Sequence, residues 1–250
     1  MFDLTGKLAL VTGSSRGIGK AIAIALAQAG ADVIVHCNRG RQAAEDTAEQ
    51  IRKIGKQAWI EQCDVSSPEE IRAMFDRIQK AFGKLDILVN NAAVLSRCPF
   101  LELPLEEWNR IMNTNAGGYF LCSQLAGKMM AKVKSGRIIN ISSISQYEVG
   151  IGRSHYCASK GAIGMLTKCA AAELAPLGIT VNAVLPGSIH TDFNSDVLSD
   201  PEFYKQCVAG IPAGRIGKAE DIAGAVVMLA ADESGYISGA CITIDGGKTL

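Results

Sequence analysis

The sequence predicts a doubly wound α/β fold, a parallel sheet of about seven strands with helices on both faces, built by residues 1–250 as one domain. Three observations carry this expectation. Short apolar runs alternate with helical runs from one end of the chain to the other. A glycine-rich turn joins the first strand to the first helix, inside a strand–turn–helix–strand unit of about 30 residues. With 250 residues, 48% of them hydrophobic and 20% charged, the chain can bury one sizeable core.

Lys7–Thr12 is a short apolar strand, and Gly13-Ser14-Ser15-Arg16-Gly17-Ile18-Gly19 follows it. The alanine-rich helical run Lys20–Ala29 comes next and is closed by Gly30. Glycines permit a tight turn and close backbone approach, while a helix N-terminus offers N–H groups and a positive dipole end to a pyrophosphate. The spacing is Gly-x-x-x-Gly-x-Gly rather than the commoner Gly-x-Gly-x-x-Gly, so the strand–helix context is what makes it a dinucleotide signal. Ala31–His36 is the second strand. A carboxylate after this strand would ordinarily pair with the ribose 2′-hydroxyl. Here the chain reads Cys37-Asn38-Arg39. Arg16 in the turn and Arg39 at the same corner favour a 2′-phosphate through charge-assisted bonds, and hence NADP(H), with NAD(H) the second option. Arg39 could equally be a solvated loop residue.

Gln42–Ile54 is helical, with Ala44, Ala48 and Ile51 on one face. Ala58–Cys63 is the third strand and ends at Asp64-Val65. Asp64 either meets an adenine or caps the turn before Ser67-Pro68-Glu69-Glu70, which opens the next helix. Leu85–Val89 is the fourth strand and delivers Asn90-Asn91-Ala92-Ala93, small residues that suit passage close to a ribose, or a plain turn. Leu105–Lys132 is a long helical pattern in two segments, broken near Asn115-Ala116-Gly117-Gly118, where an interrupted helix can leave a carbonyl to hold a water. Ile138–Ile141 reads as a buried strand, and Val181–Leu185 as a sixth that ends in Pro186-Gly187. Residues 188–212 lack clear periodicity, and such a stretch in a compact domain is expected to be a lid over a site. Ile222–Ala231 is helical and Ala240–Ile244 is the last strand.

The chemistry concentrates between the fifth strand and the helix after it. Ser143 follows the strand end, and Tyr156 and Lys160 are four residues apart, so on a helix they share a face. A hydroxyl facing a Tyr–Lys pair suits proton transfer to or from a carbonyl. A free phenol titrates near 10, too high for a base at neutrality, and an ammonium one turn away favours the phenolate. Ser143 would hydrogen-bond the reacting oxygen. Alone, Tyr-x-x-x-Lys is common on ordinary helices; the surrounding motifs give it meaning.

Composition removes other classes. Formal net charge is zero, with lysines and arginines scattered, which argues against a nucleic-acid partner. No apolar run reaches the roughly 20 residues of a membrane span, and the N-terminus passes straight into a strand without a visible signal peptide. Eight cysteines without a Cys-x-x-Cys pair read as free thiols in a reducing cytosol, hence a cytoplasmic protein. His36, His155 and His190 are too far apart in sequence to form a local metal motif, and no metal site is expected.

The assembled motifs, Thr12-Gly13-x-x-x-Gly17-Ile18-Gly19, Asp64-Val65, Asn90-Asn91-Ala92-Ala93, Asn115, Ser143, Tyr156-x-x-x-Lys160, Pro186-Gly187 and Asp245-Gly246-Gly247, resemble the short-chain dehydrogenase/reductase family over essentially the whole chain. One departure is Ala93, where the family usually has glycine; a single methyl is expected to cost no binding. The resemblance implies a Rossmann fold. It implies Tyr156 as general acid/base, Lys160 lowering its pKa and holding the nicotinamide ribose, Ser143 positioning the substrate oxygen, and Asn115 anchoring a relay water. It implies a cofactor site of Gly13, Ser15, Arg16, Gly17, Ile18, Gly19, Asn38, Arg39, Asp64, Val65, Asn91, Ala92, Ala93, Tyr156, Lys160, Pro186, Gly187, Ile189 and Thr191. It also implies a homotetramer with interfaces on helices 105–132 and 158–175.

The substrate walls should come from residues 145–153 and 188–194, where Ser145, Gln146, Glu148, Arg153, His190 and Asn194 offer a dense set of hydrogen-bonding groups. Ser143, Ser145, Gln146, Tyr156 and Asn194 are the expected substrate contacts. Polar walls suit a polyhydroxylated substrate, although loops are polar in general. Ile141-Ser-Ser-Ile-Ser145, Leu185-Pro-Gly187, Asp200-Pro-Glu202 and Ile211-Pro-Ala-Gly-Arg215 resemble sugar 1-dehydrogenases of the rhamnose and glucose type, which oxidise an aldose C1 hydroxyl to a lactone. The alternatives are a 3-oxoacyl-acyl-carrier-protein reductase or a general carbonyl reductase. The former wants basic residues for an acidic carrier; Lys134 could serve, but Ala172 and Leu177 stand where such reductases tend to carry arginine. A dinucleotide-sensing scaffold would predict damage to Ser143, Tyr156 or Lys160, and all three are intact.

Overall fold

The computed structural model describes residues 2–191 and 200–250. The main sheet takes β1 (Leu8–Val11), β2 (Asp32–Cys37), β3 (Ala58–Gln62), β4 (Ile87–Asn90), β5 (Gly136–Ile141) and β6 (Ile179–Pro186). A separate parallel pair, β7 (Ile189–His190) and β8 (Gly217–Lys218), follows, and β9 (Cys241–Ile244) returns to the main sheet. The helices are α1 (Gly17–Gln28), α2 (Arg41–Lys53), α3 (Pro68–Phe82), α4 (Leu105–Met112), α5 (Gly118–Val133), α6 (Ser154–Leu174), α7 (Pro201–Ala209) and α8 (Ala219–Ala230).

All seven main strands run parallel in the order β3-β2-β1-β4-β5-β6-β9. Successive strand residues face opposite layers. Ala9, Val11, Val33, Val35, Ile87 and Val89 pack under α1, α2 and α8, with Ile22, Leu26, Ile51 and Val226. Leu8, Leu10, Ile34 and Leu88 pack under α3, α5 and α6, with Met74, Phe75, Met130 and Ala171. Strands buried on both faces explain why they read as unbroken apolar runs. The order reverses between β1 and β4, and such a switch point opens a crevice at the carboxyl ends of the strands. No helix among the described residues is long and apolar enough to cross a membrane.

Three local features position the site. Helix α3 starts where Ser67 Oγ accepts the Glu70 N–H at 3.3 Å and Pro68 fills the first turn. Between α4 and α5 lies one π-turn, Asn113–Gly117, at the interruption the glycines announce. The third feature differs from expectation: within the stretch read as aperiodic, α7 forms a helix. Its signal is a start rather than a stripe, with the Asp200 carboxylate accepting the Glu202 N–H at 2.9 Å before Pro201-led turns. Tyr204, Lys205 and Gln206 are exposed, and Cys207 and Val208 are only half-buried, so no apolar periodicity marks it.

Candidate active site

The glycine turn is held by backbone contacts that leave no room for side chains. A Cβ on Gly19 would stand 2.3 Å from the Gly13 carbonyl oxygen and 2.5 Å from Asn91 Nδ2. Gly13, at φ +64°, presses on Ala92, whose Cα would lie 2.9 Å from an added Cβ. Thr12 Oγ1 accepts the N–H groups of Asn91 and Ala92 at 2.9 and 3.1 Å, and Asn91 Nδ2 donates to the carbonyls of Thr12 and Gly13. The ends of β1 and β4 are thereby sewn together at the switch point. His36 completes the frame. Its Nδ1 accepts the Gly13 N–H at 2.9 Å, its Nε2 lies 3.1 Å from the Cys63 carbonyl, and burial pushes its pKa down to about 4, so it is neutral. No side chain caps α1 and its first turn holds no acidic residue, so its N–H groups face the crevice as an anion site.

At the far corner, Ser15, Arg16, Asn38 and Arg39 line the same crevice. No carboxylate ends β2. Asp64, the nearest, works as a turn residue: Ser66 donates to it from both N–H and Oγ, at 2.8 and 2.7 Å. Burial acts to raise its pKa, but the hydrogen bonds of Ser66 and Asn38 outweigh it and hold the carboxyl below its ordinary value. Asp64 and Val65 still border the crevice.

At the near end, β5 delivers Ser143 and α6 delivers Tyr156 and Lys160. The Ile141 carbonyl ends β5 and accepts both Lys160 Nζ at 2.9 Å and the Tyr119 hydroxyl at 3.0 Å. That anchor holds Lys160 Nζ 5.6 Å from the centre of the Tyr156 ring and 5.4 Å from that of Tyr119. Burial alone pushes the Lys160 ammonium down to about 7. Burial raises the Tyr156 phenol, opposed by a hydrogen bond with Ser143 and by the charge of Arg153. In the protein by itself, Ser143 and Arg153 are two influences that favour the phenolate. Asn115 is buried off the crevice wall; its Oδ1 accepts the Val94 N–H at 2.9 Å, and its Nδ2 donates to Val94 O and to Ser159 Oγ, both at 3.0 Å. It ties the π-turn to the loop after β4 and to α6.

Comparison with known proteins agrees with this geometry. A family model described as enoyl-(acyl carrier protein) reductase matches residues 13–249. The chain is 42% identical over 244 residues to a 3-oxoacyl-[acyl-carrier-protein] reductase of Staphylococcus aureus, covering 98% of each. It is 39% identical over 246 residues to a 2-dehydro-3-deoxy-D-gluconate 5-dehydrogenase of Pseudoalteromonas atlantica, covering 98% of this chain and 97% of that one. A gluconate 5-dehydrogenase of Burkholderia cenocepacia, solved with NADP and tartrate, superposes with a TM-score of 0.94 at 35% identity, covering 99% of this chain and 97% of that one. The chain belongs to the short-chain dehydrogenase/reductase family. It is an oxidoreductase.

In this short-chain oxidoreductase one crevice of about 1380 Å³ gathers nearly every residue the sequence singled out. The glycine-turn set Gly13, Ser15, Arg16, Gly17, Ile18 and Gly19 lines it, as do Asn38, Arg39, Asn91, Ala92, Ala93, Pro186, Gly187, Ile189 and Thr191, and the reacting group Ser143, Ser145, Tyr156 and Lys160. Ala93 is exposed and lies outside the left-handed region, so its methyl is accommodated. Gln146 is not among the residues that line this crevice. The 3₁₀ turn Ile144–Gln146 carries its amide away from the crevice, where Ser142 Oγ donates to it at 3.0 Å and Gly164 of α6 leaves it space. Asn194 lies outside the described residues. Sequence reasoning missed Ser96, Arg97, Arg110, Thr114 and Lys248, which also line the crevice. It also missed His36, whose role depends on strand pairing that no local pattern displays.

Proposed function

We propose that the protein transfers hydride between NADP(H) and a secondary alcohol or carbonyl of a small polyhydroxylated molecule, an aldose-type sugar substrate being the leading case. The observation that carries the reading is Ser143, Tyr156 and Lys160 converging at one end of a crevice whose other end offers two arginines and no β2 carboxylate. The uncapped N-terminus of α1 beside Gly13 and Gly19 fits a pyrophosphate, and Arg16 with Arg39 fits a 2′-phosphate. The bound nicotinamide supplies or accepts the hydride at its C4. In the oxidative direction Tyr156 takes the hydroxyl proton from the substrate as its C–H hydride departs, leaving a carbonyl; in reduction Tyr156 returns that proton to the alkoxide oxygen. Ser143 holds the reacting oxygen beside the phenol. With the cofactor in place, Lys160 holds the nicotinamide ribose and favours the phenolate, and the Asn115 carbonyl anchors a relay water. Ser145, with Ser188 and Ile189, lines the substrate side.

The gluconate-type relatives support a polyhydroxylated substrate, while the Staphylococcus relative favours 3-oxoacyl-acyl-carrier-protein reduction as the second reading. Against it stand Ala172 and Leu177, which offer an acidic carrier no charge. We further infer a homotetramer that covers exposed Leu105 and Phe120 on α4 and α5 and Met165 on α6, and a cytoplasmic location suited to eight free thiols. Initial rates by nicotinamide absorbance, with NADP and NAD in turn, over a panel of sugars and with a β-ketoacyl thioester alongside, test the reading. NADP-dependent sugar oxidation supports it; thioester reduction with silent sugars replaces the substrate and keeps the catalytic residues.

A further inference from the structure

Arg153 acts on Tyr156 only through its charge, and neither the cofactor site nor the catalytic group gives its guanidinium a partner. It stands three residues before Tyr156, at the N-cap of α6, half-buried on the wall of the crevice that Ser143 and Ser145 also line. Among the described residues its guanidinium has no hydrogen bond or ion pair. The carboxylate beside it in sequence, Glu148, is answered by Lys248, 3.8 Å away. The backbone is cut to seat this side chain: the Arg153 N–H donates to Gly150 O at 2.9 Å, and a Cβ on Gly150 would stand 2.3 Å from Arg153 Nε. The same loop brings a second cation. The Cys98 N–H donates to Gly152 O at 2.9 Å, which docks the segment carrying Arg97, another crevice-lining arginine, against the Gly150–Arg153 turn. A guanidinium on a crevice wall attracts an anion, and its planar fork matches a carboxylate bidentately.

We propose that Arg153, seconded by Arg97, binds a carboxylate of the substrate, so that the physiological substrate is a polyhydroxy acid rather than a neutral aldose. The inference rests on the sugar-type reading above and specifies its charge. The anion would sit within one helical turn of Tyr156, leaving Ser143 and Ser145 for substrate hydroxyls. Carboxylate and reacting carbon would then be held from opposite ends, which fixes which hydroxyl meets the phenol.

The test measures NADP-dependent kcat/KM for aldonates and for the alditols and aldoses of the same chain length, in the wild type and in Arg153→Gln, Arg153→Lys and Gly150→Ala. The wild type should prefer the acid, and Arg153→Gln should lower the acid-to-neutral ratio by roughly 10- to 100-fold, the loss expected for a charge-assisted bidentate pair. Arg153→Lys should recover part of the ratio. Gly150→Ala should lower it through displacement of the guanidinium, without a change in melting temperature. A ratio unmoved by Arg153→Gln, or sugar phosphates preferred over aldonates, would overturn the carboxylate assignment alone. Thioester reduction with acids and neutral polyols both silent would instead sink the sugar-type reading, and this inference with it.

Discussion

Acidification should loosen this protein through His36 more than through any exposed group. The ring is 1% exposed and bridges the glycine turn to β3, with Nδ1 accepting from Gly13 and Nε2 facing the Cys63 carbonyl. Burial away from water penalises the charged ring and drives the folded pKa from 6.5 to about 4; protonation would also turn Nδ1 into a donor aimed at the Gly13 N–H. Between those values the unfolded chain binds the proton and the folded one does not, so stability rises with pH in that window. The contribution is full above pH 6.5 and is lost as pH falls toward 4. Linkage gives a loss of about 2 kcal/mol on going from about pH 8 to about pH 5, and about 3 kcal/mol at lower pH. The assay is urea unfolding of wild type, His36→Gln and His36→Asn at the two pH values. Other titrating groups cancel in the comparison, so the variants should lose about 2 kcal/mol less than the wild type over the interval. Equal losses would refute the argument, whatever the absolute stabilities of the variants.

Two further outcomes follow from the same geometry. Lys160→Met should abolish turnover yet leave the cofactor-free protein at least as stable at neutral pH, by on the order of 1 kcal/mol, because an ammonium fully desolvated at Ile141 is removed while Tyr119 still satisfies that carbonyl; thermal melts check this. The Lys160 effect also has a sign: with its folded pKa at about 7, below the ordinary 10.5, wild-type stability should gain from this group as pH rises between those values. Gly19→Ala should remove cofactor binding in a fluorescence titration and lower the melting temperature, since the new methyl would meet backbone 2.3 Å away rather than a yielding side chain.

The parts legible in the sequence are those whose signal is local. The turn from Gly13 to Gly19, the Ser67-Pro68 start of α3 and the break at Asn115–Gly118 each declare themselves within a few residues, and the structure places all of them. Strands buried on both faces were readable as apolar runs for the same reason. His36 was not, because an interior histidine gains its meaning only when β2 pairs with β1 and β3 and brings it under Gly13. Gln146 looked like a wall residue from its place in a polar loop, and one 3₁₀ turn rotated it under α6. Helix α7 escaped because its start signal, Asp200-Pro201, was not backed by an apolar stripe. Arg153 was visible only as one polar residue among several; that its guanidinium has no partner among the described residues is a fact of three dimensions.

The central claim is that Tyr156 moves the proton while the rest of the crevice holds the cofactor. Tyr156→Phe measures it most directly, with turnover and cofactor binding followed on the same preparation. The account predicts turnover reduced by about 100-fold or more, as expected for loss of a general acid/base, with cofactor affinity near that of the wild type. Wild-type turnover in Tyr156→Phe would contradict the catalytic assignment.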